Sequence, residues 1–518
     1  MTMLGAVMGM YFKPSERNEP FGPFASLADG RRTAIPSDFQ YCVPVISSMA
    51  IKASNPVLRA RLADICWVLD RSQAKMSFIA ISAYIEMVER IGSGALEIRF
   101  ATEDGTSHHD VCDILRRALC IAQSVGWGKD ESIRAREAAG GLRRQVISNR
   151  HVAPSLWFSE LDLDFTLSEP GAVGDDLDEL LTDLPSSANP TMVVELFRLA
   201  ARAFHLAKRE EDKRRCLVGA TEQLVAQADL GGGSAMWEAH YLSSAIAQLQ
   251  GVQGQRERRT ELRHKLIDVQ ARVPDEMAVH SMEVDLSEII DNVQKSVGRV
   301  DLLDKLLLFA ALEQTPSRDQ LEKQAVAAMK RNPLSSLFGT AHTDREGKVV
   351  CRTDGTGPSE QGSGSAIAFQ VAQAESIRRL TAVQGSIEPA RQVIVEQHHL
   401  SEDLLAPILV NSPFVGPDLV LTYSRAFVRM FQGDYISALY TLAPLLENSV
   451  RYVLKNLGHE VTKFDDSDQT QADRSISQIF EQMRPQLEAA FSADIVFQME
   501  GLFLNKPGPY IRHSVAHG

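Results

Sequence analysis

The sequence has few cysteines, no long apolar run and no excess of positive charge, and each shortage removes a class of protein. Six cysteines in 518 residues (Cys42, Cys66, Cys112, Cys120, Cys216, Cys351) are scattered without a Cys-x-x-Cys pair. That pattern argues against a disulfide framework and a cysteine-based zinc site, and it fits thiols in a reducing cytosol. No apolar run reaches the roughly 18 residues that a bilayer-crossing helix requires, and the apolar first ten residues lack the basic start of a signal peptide. A net charge of −13 is wrong for a protein that coats nucleic acid non-specifically, so no DNA partner is expected. Gly231-Gly232-Gly233-Ser234 follows no strand and precedes no Lys-Ser/Thr, so it is a loop and not a phosphate cradle; no dinucleotide or serine-hydrolase pattern occurs either. His108-His109 and His398-His399 lie in polar stretches without acidic or cysteine partners at ligand spacing and read as surface histidines. These shortages together predict a cytoplasmic protein with no membrane segment, no metal and no cofactor.

What is present is helix. With 44% hydrophobic residues the chain can bury several cores, and about two to four domains are expected. Residues 1–40 are rich in Pro, Gly and charge and predict a loosely ordered arm. From 41 to 167 apolar residues recur at three-to-four spacing: Val57, Leu58, Leu62, Ile65, Trp67 and Val68, then Phe78, Ile79, Ile81, Tyr84, Ile85 and Val88. This predicts amphipathic helices packed as a hairpin. Residues 168–190 are acidic, with prolines and small residues, and read as a linker. Between 191 and 335 helices alternate with short breaks, and Ala200, Ala201, Ala207, Ala220 and Ala226 fall where stacked helix pairs would approach, although no clean repeat period emerges. Within it the basic run Arg256 to Lys265 predicts a solvated helix face. Residues 336–365 predict a small β-hairpin around Arg345-Glu346-Gly347 and then a Gly/Ser loop.

Residues 366–518 form the last helical block. Within it, "GDYISALYTLAPLLENSVRYVLKNLG" predicts one helix capped by Asp434 and stopped by Gly458, with Ile436, Leu439, Leu446, Val450, Val453 and Leu457 as its buried stripe. Glu447 and Arg451 are four apart and within reach of each other on that helix; the plain reading is an exposed pair of little consequence. The chain closes with "PGPYIRHSVAHG". Pro507-Gly508-Pro509 forces a turn, and a short helix after it carries Arg512 in or beside its first turn, where backbone N–H groups have no helical partner and would accept a phosphate. His513 and His517 share a face of that helix, about 6 Å apart along its axis.

"GPYIRHSVAHG", together with the Gly-Asp helix upstream and the "DREGKVVCR" hairpin, resembles the bacterial family catalogued as domain of unknown function 4209. The Arg-polar-x-x-x-His pattern on a final helix is similar to that of the HEPN (higher eukaryote and prokaryote nucleotide-binding) superfamily, many of whose members are metal-independent ribonucleases acting as toxins or in phage defence. The resemblance implies an all-α multi-helix protein with hairpin-like and repeat-like regions, a small β-hairpin insert and a C-terminal HEPN-like bundle. It also implies a catalytic pair, Arg512 and His517, with His513 in place of the family's asparagine and Glu447 and Arg451 in support. The family's chains continue past the His-Gly, so the last helix is expected to be cut short at Gly518.

The chemistry is coherent for these residue types. RNA cleavage without metal needs a base for the 2′-hydroxyl, an acid for the 5′-oxygen and a cation for the phosphorane; histidine titrates near neutrality, and a guanidinium grips phosphate oxygens in a fork. One short helix does not close such a site alone, so a homodimer through the C-terminal domain and an RNA substrate are expected. Against this, residues 417–518 hold 9 Lys/Arg and 12 Asp/Glu, a poor field for RNA. The alternative is a non-catalytic helical protein, a scaffold, dimerisation module or nucleotide binder.

Overall fold

The computed structural model describes all residues except 1–2, 28–29, 98–106, 186–187, 279–282, 333–338, 345, 354, 356–363, 466–468 and 518, and the side chains of 465 and 517. It is an all-α, multi-helix protein, and its strands, among the described residues, make only three two-stranded antiparallel pairs. The chain divides into two compact units, Met1–Glu276 and Met277–Gly518.

The first unit holds α1 (Met3–Met8), β1 (Tyr11–Phe12), β2 (Phe21–Gly22), α2 (Val43–Lys52), α3 (Pro56–Leu69), α4 (Ala74–Gly92), α5 (His108–Val125), α6 (Asp130–Ser148), α7 (Val152–Phe165), α8 (Pro170–Thr182), α9 (Pro190–Leu206), α10 (Glu210–Asp229), α11 (Ala235–Gln248), α12 (Arg256–Gln270) and α13 (Val273–Glu276). The second holds α14 (Ser287–Gly298), α15 (Leu302–Ala310), α16 (Arg318–Arg331), β3 (Thr340–Thr343), β4 (Val349–Thr353), α17 (Gly364–Ala382), a π turn over Val383–Ile387, α18 (Glu388–Gln397), α19 (Glu402–Leu409), α20 (Val420–Phe431), α21 (Tyr435–Asn456), β5 (Thr462–Asp465), β6 (Thr470–Asp473), α22 (Ile476–Gln482), α23 (Arg484–Phe491), α24 (Ala493–Phe503) and α25 (Ile511–His517).

The expected hairpin is α3 packed on α4. Asn55 starts α3 by accepting from the amides of Val57 and Leu58, with Pro56 at the first helical position, where its missing N–H costs nothing. Leu62, Ile65, Trp67, Ile81, Tyr84, Ile85 and Val88 are buried. At its centre lies an ion pair: Arg117 donates to both carboxylate oxygens of Asp64 at 2.8 and 2.7 Å, and Tyr84 donates to the same carboxylate at 2.8 Å.

Two stretches, one expected as a loosely ordered arm and the other as a linker, are ordered parts of this unit. In the 1–40 arm Val7, Met10 and Phe21 join the core, Arg117 donates to the carbonyls of Glu16 and Arg17, and Phe12 and Phe21 stack beneath the Arg61 guanidinium. A Pro- and Gly-rich segment is held here through its backbone carbonyls and two aromatic rings, which composition does not register. Residues 168–190, expected as an acidic linker, contain α8, which buries Val173, Leu177 and Leu180; Asp175 and Asp178 pair with Arg209, just before α10, and with Arg215 within it.

Helices α8 to α12 each pack on the next in sequence, as a stacked array does. Ala200, Ala201 and Ala220 are buried at these contacts, whereas Ala226 is exposed. In the second unit the expected hairpin is β3 paired with β4; Arg345 at its turn and most of the Gly/Ser tract lie outside the described residues. The C-terminal core gathers Val450, Leu454, Ile476, Ile479, Phe480, Leu487 and Val496.

The stripe expected on α21 is only partly right. Val450 is buried, but Ile436 is 74% exposed, and Leu439 and Leu457 are exposed too. The face that packs on α20 instead carries Ala438, Leu442, Leu445 and Ser449, where Tyr423 of α20 donates to the Leu445 carbonyl at 2.8 Å. Both faces of this helix carry apolar residues, so periodicity alone does not choose between them.

Candidate functional site

The site is built from α21, α22, α23, α24 and the helix α25 that follows the last turn. Asp434 caps α21, its carboxylate accepting from the Ser437 amide at 3.1 Å, after a Gly433 held at φ +82°. Nearly three turns on, Pro444 removes the N–H that the Tyr440 carbonyl would accept. One turn further stands Glu447. It is not the exposed, inconsequential partner of Arg451: the two side chains are about one-fifth exposed, and Arg451 Nη2 donates to Glu447 Oε1 at 2.6 Å. The same oxygen accepts from the Ile476 amide at 3.2 Å, at the start of α22, while Arg451 Nε donates to the Arg474 carbonyl. Glu447 and Arg451 therefore tie α21 to the entry of α22, where Ser475 and Gln478 form a reciprocal cap.

The tail reaches this place through the turn before α25. A side chain on Gly508 would collide with the Gly501 carbonyl oxygen, so the turn lies against α24 as only glycine allows. Tyr510 takes a left-handed φ of +47°, and its ring stacks on that of His513, with centroids 4.8 Å apart and planes at 18°. Helix α25 starts at Ile511, which puts Arg512 in its first turn as expected. Arg512 Nε then lies 3.7 Å from Glu447 Oε2.

These pieces border an open cleft of about 870 Å³. Glu447, Arg512 and His513 line it, joined by Tyr440, Tyr510 and Arg484. Arg451 does not line it and acts behind Glu447. The His517 side chain lies outside the described residues; its backbone ends α25. Arg484 donates to Glu500 and to Glu488 at 2.9 Å each, and the hydrogen bond to Glu500 holds its pKa above the ordinary value in spite of partial burial. The cleft thus presents two guanidinium groups among the carboxylates of Glu447, Glu481 and Glu500. Tyr440, Arg484 and Tyr510 carry no spacing signal of their own and become neighbours only through packing.

Other candidates resolve into surface chemistry. In the basic run of α12, Arg258 pairs with Glu222 and Glu261, and Lys265 with Asp229 and Glu238, while Arg256 and Arg263 are exposed on the same helix. His109 is exposed and sits 3.8 Å from Asp113. Among the described residues no group of His, Cys, Asp and Glu could hold a metal, and no helix is long and apolar enough to cross a membrane.

Residues 1–134 match the family model of a domain of unknown function (DUF7380). That match covers α1 to α6 up to Arg134, including the Asp64–Arg117 pair, and does not extend to the C-terminal motifs. No curated protein matches the chain.

Proposed function

We propose that the second unit is a HEPN-like, metal-independent endoribonuclease that works as a homodimer, with Arg512 and His517 as its catalytic pair. One observation carries this reading: Arg512, His513 and Glu447, distant or unremarkable in sequence, line a single open cleft. In the proposed reaction the guanidinium of Arg512 holds a non-bridging phosphate oxygen. A histidine takes the 2′-hydroxyl proton as the 2′-oxygen bonds to phosphorus; the bond to the 5′-oxygen breaks, and a second histidine protonates that leaving oxygen. The products are a 2′,3′-cyclic phosphate and a free 5′-hydroxyl. The partner copy would supply the second histidine, and the exposed Ile436, Leu439 and Tyr440 at the start of α21 offer an apolar surface for it. A role as a toxin or phage-defence effector, regulated by the first unit, follows from the family resemblance.

A specific observation favours the non-catalytic reading: Arg512 faces a carboxylate, Glu447, that a phosphate would have to displace. The two readings separate when total cellular RNA is incubated in EDTA with wild type, Arg512→Ala and His517→Ala, each checked for fold by circular dichroism. Cleavage to 2′,3′-cyclic ends that both substitutions abolish is expected; intact RNA with folded wild-type dimer would overturn the proposal.

A further inference from the structure

A second cavity of about 570 Å³ opens in the same unit, between α17 and α24. Part of its wall is apolar, with Ile367 and Val371 from α17 and Phe497 and Leu504 from the α24 end. Two charged side chains of α17, Glu375 and Arg379, also line it, and Arg378 competes with Arg379 for the one carboxylate. Glu375 is 2% exposed, and its carboxylate is taken by Arg378, which donates to both oxygens at 2.8 and 3.0 Å. Arg379 is left 3.6 Å from that carboxylate and donates at 2.8 Å to a neutral acceptor, the Gln498 amide oxygen.

The remaining carboxylates at this cavity are engaged elsewhere, Glu322 by Arg318 at 2.8 Å and Glu500 by Arg484 at 2.9 Å. Four-fifths of the Arg379 side chain is out of solvent, and burial pulls its pKa below the ordinary arginine value despite Glu375. The other end of the Gln498 amide, Nε2, is buried with no hydrogen-bond partner among the described residues. A largely buried guanidinium whose nearest carboxylate is held by another arginine, set in the wall of a partly apolar chamber, has the chemistry to bind an anion.

We propose that this cavity binds a small organic anion with an apolar body, a carboxylate whose charged end meets Arg379 and whose hydrocarbon or ring lies among Ile367, Val371, Phe497 and Leu504. The volume falls in the range of small-molecule sites, about 300–1,000 Å³. A planar carboxylate matches the guanidinium fork. The site does not depend on the reaction proposed for the cleft, and its test reads binding alone.

The experiment is calorimetric titration of the full chain with 4-phenylbutyrate and with its neutral counterpart 4-phenylbutan-1-ol. Saturable binding of the acid is expected, with the alcohol about tenfold weaker or more, since one charge-assisted hydrogen bond is lost. Arg379→Gln should weaken the acid by a similar factor, and Arg379→Lys, which keeps the charge but not the fork, should fall between wild type and Arg379→Gln. Ala368→Trp, at an exposed lining position, should block the chamber. Melting temperatures close to wild type establish that the variants are folded. Absence of saturable binding up to about 10 mM, in the range where even weak site binding is seen, would overturn the proposal. So would Arg379→Gln binding the acid as wild type does.

Discussion

Replacing Asp64 by asparagine should destabilise the first unit far more than its near-identical shape suggests. The wild-type carboxylate takes two hydrogen bonds from Arg117 and one from Tyr84, and these three side chains are at most 4% exposed. Asparagine fills the volume but leaves the guanidinium of Arg117 buried without a counter-charge, and breaking a buried pair in this way costs about 3–5 kcal/mol. Against a total stability of about 5–15 kcal/mol for a domain, that is a large fraction. All four tryptophans, Trp67, Trp127, Trp157 and Trp237, lie in the first unit, so tryptophan fluorescence in urea reports its unfolding without contribution from the second. With a urea slope of about 3 kcal/mol per molar, the midpoint should fall by about 1–1.7 M. A companion variant, Asp64→Leu with Arg117→Met, removes both charges and should recover most of the loss. An Asp64→Asn midpoint within about 0.3 M of wild type, a shift below 1 kcal/mol on the same slope, would refute the reasoning, because it would mean that Arg117 finds solvent or another acceptor at no cost.

Other perturbations test the second unit. Gly508→Ala should push the turn off the Gly501 carbonyl, at a cost of about 1–3 kcal/mol for overpacking, and hydrogen exchange of amides 501–512 should quicken; unchanged exchange would show the contact to be loose. Glu388 is held down to a pKa of about 2 by the hydrogen bond from Arg391, with Tyr435 and Gln392 assisting. A depressed carboxylate contributes stability above its unfolded value of 4.5 that is lost as pH falls toward about 2. Glu388→Gln should therefore flatten the fall in stability over that window, and an equally steep fall in the variant would assign the acid sensitivity to other groups.

The all-helical class, the α3–α4 hairpin and the β3–β4 hairpin were legible because each rests on local rules: apolar spacing, caps such as Asn55, and turn residues between two short apolar runs. The stripe on α21 was not, since Ile436 and Leu439 are as apolar as Leu442 and Leu445, and only the position of Tyr423 selects the face. The arm and the acidic stretch before α9 were misjudged for a related reason. Their order comes from distant partners, Arg117 for the carbonyls of 16 and 17, and Arg209 and Arg215 for the acids of α8.

At the candidate site the division is the same. The sequence by itself determined that the tail turns at Gly508, that Arg512 opens a short helix, and that Glu447 and Arg451 lie within reach, because these depend on residues next to one another along the chain. Only the tertiary structure decided that Glu447 would meet Arg512, that Tyr440, Tyr510 and Arg484 would wall the same cleft, and that Arg379 would be buried beside a carboxylate committed to its neighbour. Contacts between helices far apart in sequence are set by which faces pack and by which charges can be neutralised once buried, and no local pattern encodes either.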